Sequence, residues 1–466
     1  MVPASIGGTE GNYAGCADLS TSPGGFHFAS RPAGHLRTVL FSRVRQADYS
    51  LPGGLMYLRL LFLIGASLLA AGCTARHRCC ASPALMRASG QVEVGTKADE
   101  NAVLETDIIR GFADRLRTSH SAPVGAPKKV LALSGGGMYG AYSTGVLAGW
   151  TATGDRPCFD VVTGVSTGGL IATYAFLGSQ YDRQLTELYT SVCSQDIYRK
   201  RVIGSVLWSD SAASSAPLKR LIDAQVDDAM LQAIAAGHAT GRRLYVGTTN
   251  IDTRRLVIWD MGAIASSGRA DAKDLYRKVL LASSSPPGFL PPVPIEVEVN
   301  GRKFTELHVD GGATTGVFIR ASTLHLDPAA VKSGDRPLAG SEAYVIVAGK
   351  LYADPVCIER RALRIGESSL QSLLYSQVRG ELFRIYTLCL LSGMKFNMSA
   401  LPEEFKASGD MMGFDPAEMK RLYEAGYAAA TSGRAWRDTP PGTEPQEQTK
   451  PRGGTQFLAP GALEGK

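Results

Sequence analysis

A layered α/β domain is the fold class that the sequence predicts, and three observations predict it. Lys129-Val130-Leu131-Ala132-Leu133 reads as a buried strand, runs into a glycine-rich turn and continues as a helix-like stretch to Trp150. Phe159 to Thr163 repeats the plan, entering the turn Gly164-Val165-Ser166-Thr167-Gly168 and continuing as an apolar helix over Leu170 to Leu177. Beyond it, strand-like and helix-like runs alternate, the pattern of strands and helices packed in layers.

Composition bounds the function. The 466 residues allow about two or three domains of roughly 150 residues each. Hydrophobic residues at 44% against charged residues at 20% supply a sizeable core and exclude a mostly disordered chain. The 52 glycines show no three-residue period, which excludes collagen. A net charge of +6, from 49 basic and 43 acidic residues, is too mild for a nucleic-acid partner. The eight cysteines form no Cys-x-x-Cys pair, which argues against a zinc ribbon or a thioredoxin-type site. No metal-ligand spacing is seen, and the reading calls for no metal and no cofactor.

Residues 1–55 are rich in Gly, Ser, Pro and Arg with weak periodicity, and read as disordered, or as untranslated with Met56 as the true start. Met56-Tyr57-Leu58-Arg59 then precedes the 12-residue apolar run Leu60 to Ala71. That length suits the core of a signal peptide and is short for a membrane span of about 20 residues. The run closes in Leu69-Ala70-Ala71-Gly72-Cys73, and residues 56–72 resemble a bacterial lipoprotein signal, although Ala70 stands where Leu is commoner. The resemblance implies export, a lipid on Cys73 and a membrane surface as partner. Thr74, rather than Asp, after the cysteine implies the outer membrane, facing the periplasm. In an oxidising compartment Cys158 could pair with Cys193, with two unpaired buried cysteines as the open alternative.

Residues 73–124 read as a polar tether with an amphipathic helix over 99–118, and a linker runs to Lys128. Further strands are expected at 243–248, 256–259, 295–299 and 343–347, and helices at 272–283 and 368–391. A last helix spans 416–431, with Asp415 as N-cap and Pro416 at its first position. The expected plan is a catalytic domain over 125–350, a helical extension over 351–432 and a disordered tail over 433–466. The apolar stripe Leu370, Leu373, Leu374, Val378 and Leu382 reads as core packing or as an interfacial surface that opens the site.

Three motifs carry chemistry. Gly164-Val165-Ser166-Thr167-Gly168 lies between an apolar strand and an apolar helix, where flanking glycines permit a tight turn that exposes a serine hydroxyl. Gly135-Gly136-Gly137-x-x-Gly140 follows a buried strand and frees backbone N–H groups for an anion, either a phosphate or an acyl-transfer oxyanion. A dinucleotide fingerprint would need an acidic residue ending the next strand, and neither Asp155 nor Asp160 does so. Asp310-Gly311-Gly312 follows His308-Val309 and reads as a base at a strand end or as a plain Asp-Gly turn.

In order and spacing the three motifs resemble the patatin-like phospholipase family across residues 130–320. Ala282-Ser283-Ser284-Ser285-Pro286-Pro287-Gly288-Phe289 resembles a fourth segment of that family, with Phe289 one position early. The resemblance implies an α/β/α domain with a central, mostly parallel sheet. It implies Ser166 as nucleophile, Asp310 as general base and Gly135, Gly136 and Gly137 as oxyanion donors. Gly140, Gly164, Gly168, Gly311 and Gly312 are the motif glycines. Ser134 and Tyr139 depart from the family, which often has Asp and a basic residue there. The function implied is hydrolysis of lipid acyl esters, foremost phospholipids, through an acyl-enzyme. Two alternatives stay open: a Ser-His-Asp hydrolase using His325, and a catalytically weak lipoprotein that binds lipid or a partner.

Overall fold

The computed structural model describes residues 126–201, 209–299, 302–325, 336–407 and 410–441. The expected start at 1–55, the leader at 56–72, Cys73, the tether with its amphipathic helix and the tail from 442 lie outside the described residues. Among the described residues no helix is long and apolar enough to cross a membrane.

In chain order the elements are β1 (Lys129–Leu133), α1 (Gly140–Ala152), β2 (Val161–Val165), α2 (Thr167–Leu177), α3 (Asp182–Ser191) and α4 (Ser194–Ile197). A two-residue pair, β3 (Arg199–Lys200) and β4 (Ala213–Ser214), precedes α5 (Ala216–Gln225) and α6 (Asp228–Ala239). Then come β5 (Arg243–Asn250), β6 (Arg255–Asp260), α7 (Met261–Ser266), α8 (Ala272–Ser283), β7 (Val293–Val299) and β8 (Arg302–Asp310). The last elements are β9 (Glu342–Ile346), α9 (Ala362–Ser392), β10 (Lys395–Ser399) and α10 (Pro416–Thr431). Residues 359–365 belong to a separate compact unit, in which Arg361 pairs with Glu359 at 3.1 Å.

β1 and β2 read as unbroken apolar runs because both faces of the sheet are covered by helices. The sheet order is β10-β9-β1-β2-β5-β8-β7, with β6 also paired to β5. The β10, β9, β1, β2 and β5 strands run parallel. β6 and β8 are antiparallel to β5, and β7 is antiparallel to β8. The expected mostly parallel α/β sheet is present. β8 meets only the last three residues of β5, with Thr248 opposite Asp310, so Asp310 arrives at the same sheet end as the turn after β2.

The stretch beyond 350 is more than helical. It adds β10 beside β9, a five-residue strand too short to stand out from the apolar end of α9. It also returns α10 onto α1. Asp415 caps α10 by accepting from the Ala417 amide at 2.8 Å, as expected. The two helices cross backbone to backbone. A Cβ at Gly145 would stand 2.0 Å from the Tyr423 carbonyl oxygen, and one at Gly426 would stand 2.2 Å from that of Tyr142. In α9 the apolar stripe divides. Leu382, Ile385 and Tyr386 are buried, whereas Leu370 and Leu373 are 59% and 67% exposed. Cys158 is a free, exposed thiol, so it does not pair with Cys193.

The α1–α10 crossing predicts a sharp stability effect. Gly145→Leu should lower unfolding free energy by about 3 kcal/mol, because neither backbone can retreat from the new side chain. Urea unfolding measures it, and a shift under about 1 kcal/mol would show that the crossing is compliant.

Candidate active site

Ser166 follows β2 directly and caps α2 with φ 55° and ψ −129°, a backbone setting rare for a residue with a side chain. The turn is tight enough to need both flanking glycines. A Cβ at Gly164 would stand 2.2 Å from the Gly168 carbonyl oxygen, and one at Gly168 would stand 2.4 Å from that of Leu133. Ser166 is half-buried, with the N-terminus of α2 behind it favouring negative charge.

The glycine loop lies alongside. A Cβ at Gly135 would come within 3.1 Å of the Ser166 Cβ, so the missing side chain at Gly135 is what lets the loop reach the serine. The Gly135 amide donates to the Gly316 carbonyl at 3.0 Å and is therefore not a free oxyanion donor, unlike the sequence expectation. The Gly136 and Gly137 amides have no acceptor among the described residues. Gly137 sits at φ 55°, the setting that turns its amide out of a helical path. At Gly140 a Cβ would strike the Thr167 Oγ1 at 2.4 Å, which locks the loop's end to the serine turn.

Of the two departures from the family pattern, Ser134 has a structural task. It is buried and its Oγ accepts from the Ala348 amide at 2.8 Å, tying the loop to the end of β9. Tyr139 is buried in the cavity wall, beside Gly349. Lys350, also in that wall, holds its Nζ 2.6 Å from Asp354 Oδ2 and 2.9 Å from the Glu403 carbonyl.

Asp310 ends β8 and is 6% exposed. The Gly312 amide donates to its Oδ1 at 2.7 Å, and Gly311 packs under the turn against the Gly247 carbonyl. Burial pushes its carboxyl up from 3.8 to about 6, opposed by hydrogen bonds from the Ser166 hydroxyl and the Gly312 amide. Asp310 thus faces Ser166, and the structure brings these two sequence-singled residues together.

The serine-rich end of α8 touches both residues. Ser283 Oγ accepts from the Ser166 amide at 2.9 Å and donates to the Gly247 carbonyl at 2.8 Å. The Asp310 amide donates to the Ser285 carbonyl at 2.8 Å. The sequence reading singled out this segment only as a motif match. Its holding role depends on contacts more than 100 residues apart in some cases, such as Ser166 to Ser283, 117 positions on.

No histidine lines the cavity among the described residues. His308 is buried, with Nδ1 2.9 Å from Thr248 Oγ1 and Nε2 3.1 Å from Glu306 Oε2. Burial lowers its pKa and favours the neutral ring. His325 is exposed and outside the cavity wall. The expected alternative of a His325 triad has no geometry to support it.

Ser166 and Asp310 open into a cavity of about 750 Å³ with mostly apolar walls. The α5 helix supplies Leu218, Leu221, Ile222 and Gln225 and α6 supplies Met230, and the sequence reading did not anticipate either helix. Their signals were legible: Pro217 at the first turn of α5, the Leu218-Leu221-Ile222 spacing, and Asp227 capping α6 through the Met230 amide at 2.8 Å. Leu370, Leu373 and Val378 of α9 stand in the same wall.

The family model described as patatin-like phospholipase matches residues 131–321, which spans the glycine loop, the serine turn and Asp310. Residues 131–321 thus resemble a patatin-like phospholipase domain. That class of enzyme is a lipid acyl hydrolase. Among solved structures, VipD from Legionella pneumophila is similar at 12% identity and TM-score 0.34, over 68% of each chain. The type III effector protein ExoU is similar at 16% identity and TM-score 0.24, over 67% of this chain and 53% of its own. No curated protein sequence matches the chain.

Removing the Ser283 hydroxyl leaves the Ser166 amide buried without an acceptor, at a cost of about 1–3 kcal/mol. Ser283→Ala should therefore lower kcat about tenfold with little change in KM, since the serine turn moves and the apolar cavity does not. Steady-state kinetics on a soluble ester reads this. An unchanged kcat would show that the turn holds without Ser283.

Proposed function

We propose that this patatin-like domain hydrolyses phospholipid acyl esters through a Ser166–Asp310 dyad and an acyl-enzyme. The observation that carries the reading is the Ser166 hydroxyl facing a buried carboxyl in an apolar cavity whose described wall holds no histidine.

The steps follow from the atoms. Asp310 takes the proton from the Ser166 hydroxyl as Oγ attacks the ester carbonyl carbon. The carbonyl oxygen gains the negative charge, and the Gly136 and Gly137 amides with the N-terminus of α2 stabilise it. The tetrahedral species collapses, the C–O bond to the alcohol breaks, and Asp310 returns its proton to the leaving oxygen. Water then repeats the sequence on the acyl-enzyme and releases the fatty acid. An ordinary carboxylate is a weak base for this task, and burial brings Asp310 to about 6, nearer the working pH.

In the same reading Cys73 carries a lipid that holds the domain at a membrane surface of the cell envelope, which raises the local concentration of substrate. Metabolic labelling with a radioactive fatty acid, lost in Cys73→Ser, checks that part.

Fatty-acid release from phospholipid vesicles tests the dyad. Ser166→Ala and Asp310→Ala should each lower kcat at least about a thousandfold, while His325→Ala should stay within about twofold of wild type. Retained activity in Asp310→Ala would remove the dyad.

The carboxyl sets the pH behaviour. Activity needs the ionised form, so kcat/KM should rise through about pH 6 and then level. Stability runs the other way. The folded pKa lies above the unfolded one, so the folded state holds the proton more tightly between 3.8 and about 6, and stability falls as pH rises through that window. Asp310→Asn should therefore melt above wild type at pH 7.5, and the gap should close near pH 4. A gap independent of pH would contradict the buried-carboxyl account.

A further inference from the structure

Along α2 the lining of the apolar cavity stops at Tyr174. α2 leaves Ser166 and turns Thr167, Leu170, Thr173 and Tyr174 to the cavity, one face of the helix. Leu177, next on that face, does not line it. At 1.5 Å per residue, Tyr174 stands about 12 Å from Ser166 along the axis. Thr173 keeps its hydroxyl on Tyr276 at 3.0 Å, so its polar atom is already engaged.

α5 forms another wall with Leu218, Leu221 and Ile222, and its last residue, Gln225, is the polar exception. At Gln225 three elements meet. The Tyr174 hydroxyl donates to Gln225 Oε1 at 3.2 Å, and Gln184 Nε2 of α3 donates to the same oxygen at 2.7 Å. Tyr174 is buried and both glutamines are half-buried, so this trio stands between an apolar interior and solvent.

Resting on the acyl-hydrolase reading, we propose that the Tyr174–Gln225–Gln184 hydrogen-bonded trio is the stop of the acyl arm and sets the longest saturated chain held beyond Ser166. A chain pushed past Tyr174 must part these hydrogen bonds and strand their polar atoms against methylenes, which is unfavourable. A chain short of the stop gains from every methylene that enters the apolar arm, about fourfold in affinity each. With C–C bonds of about 1.5 Å in a staggered chain, an arm of about 12 Å takes about ten carbons. The arm therefore ranks acyl chains by length, whatever head-group stands at the mouth.

The test is binding of free fatty acids to the full chain, read by displacement of anilinonaphthalene sulfonate, from hexanoate to octadecanoate. The expected dissociation constants fall about fourfold per methylene up to about ten carbons and then level. Gln225→Ala should move that break outward by at least about two carbons. Tyr174→Phe keeps the ring, loses the donor and should move it the same way, which keeps the test intact if Gln225→Ala does not fold. Leu218→Trp, which fills the arm, should move it inward. A wild-type affinity that climbs evenly to octadecanoate, or a break unmoved in the Gln225 and Tyr174 variants that fold, overturns the proposal. Binding needs no chemistry at Ser166, so the series is repeated in Ser166→Ala. A break with no hydrolysis in wild type sinks the dyad and keeps the stop, and hydrolysis with no break sinks the stop alone.

Discussion

The backbone of Ser166 is held at φ 55° and ψ −129°, and much of the site exists to hold it there. A residue with a side chain keeps such a conformation only when its neighbours over-determine it. The neighbours are specific. Gly164 and Gly168 let β2 and α2 close on each other, Gly135 lets the glycine loop lie against the serine, and Ser283 accepts its amide. The same Ser283 hydroxyl is anchored on the Gly247 carbonyl, against which Gly311 packs below Asp310. The turn that presents the hydroxyl and the turn that presents the carboxyl are thus fixed to one strand end. Their mutual placement is a property of the sheet rather than of mobile loops.

Desolvation gives that placement its chemical effect. The cavity is walled mostly by apolar side chains, and Asp310 is buried with the Gly312 amide and the Ser166 hydroxyl as its hydrogen-bond donors among the described residues. Burial disfavours the carboxylate and makes it a stronger base than an exposed aspartate. In the proposed reaction the apolar walls would also strengthen the interaction of a developing oxyanion with the Gly136 and Gly137 amides, which have no acceptor among the described residues. In the proposed reaction, acyl-chain binding and proton transfer would draw on one feature, the apolar lining contributed by α2 and α5 beside the glycine loop.

What the sequence shows and what it hides divide by range. β1, its glycine loop, the serine turn and α2 are local: an apolar run, glycines and a second apolar run, each within a few positions, and all were legible. The cap of α10 was legible for the same reason, since Asp415 and Pro416 act on their own helix. β10 was not, because five residues behind a long apolar helix carry no period of their own and become a strand only beside β9. Gly145 and Gly426 look like helix-weakening residues in isolation, and their use emerges only where α1 and α10 touch. The Gly135 amide was expected to serve the oxyanion, but Gly316, 181 positions on, takes it. No spacing within a motif reports such a partner.

The central claim is that Ser166 is the residue that attacks and becomes acylated. The most direct measurement is reaction of the protein with a fluorophosphonate, followed by proteolysis and mass spectrometry of the adduct. The account predicts one phosphonylated residue, Ser166, with labelling strongly slowed by Asp310→Asn and left intact by His325→Ala. Adduct on another serine, or labelling of Ser166 at full rate in Asp310→Asn, would contradict it.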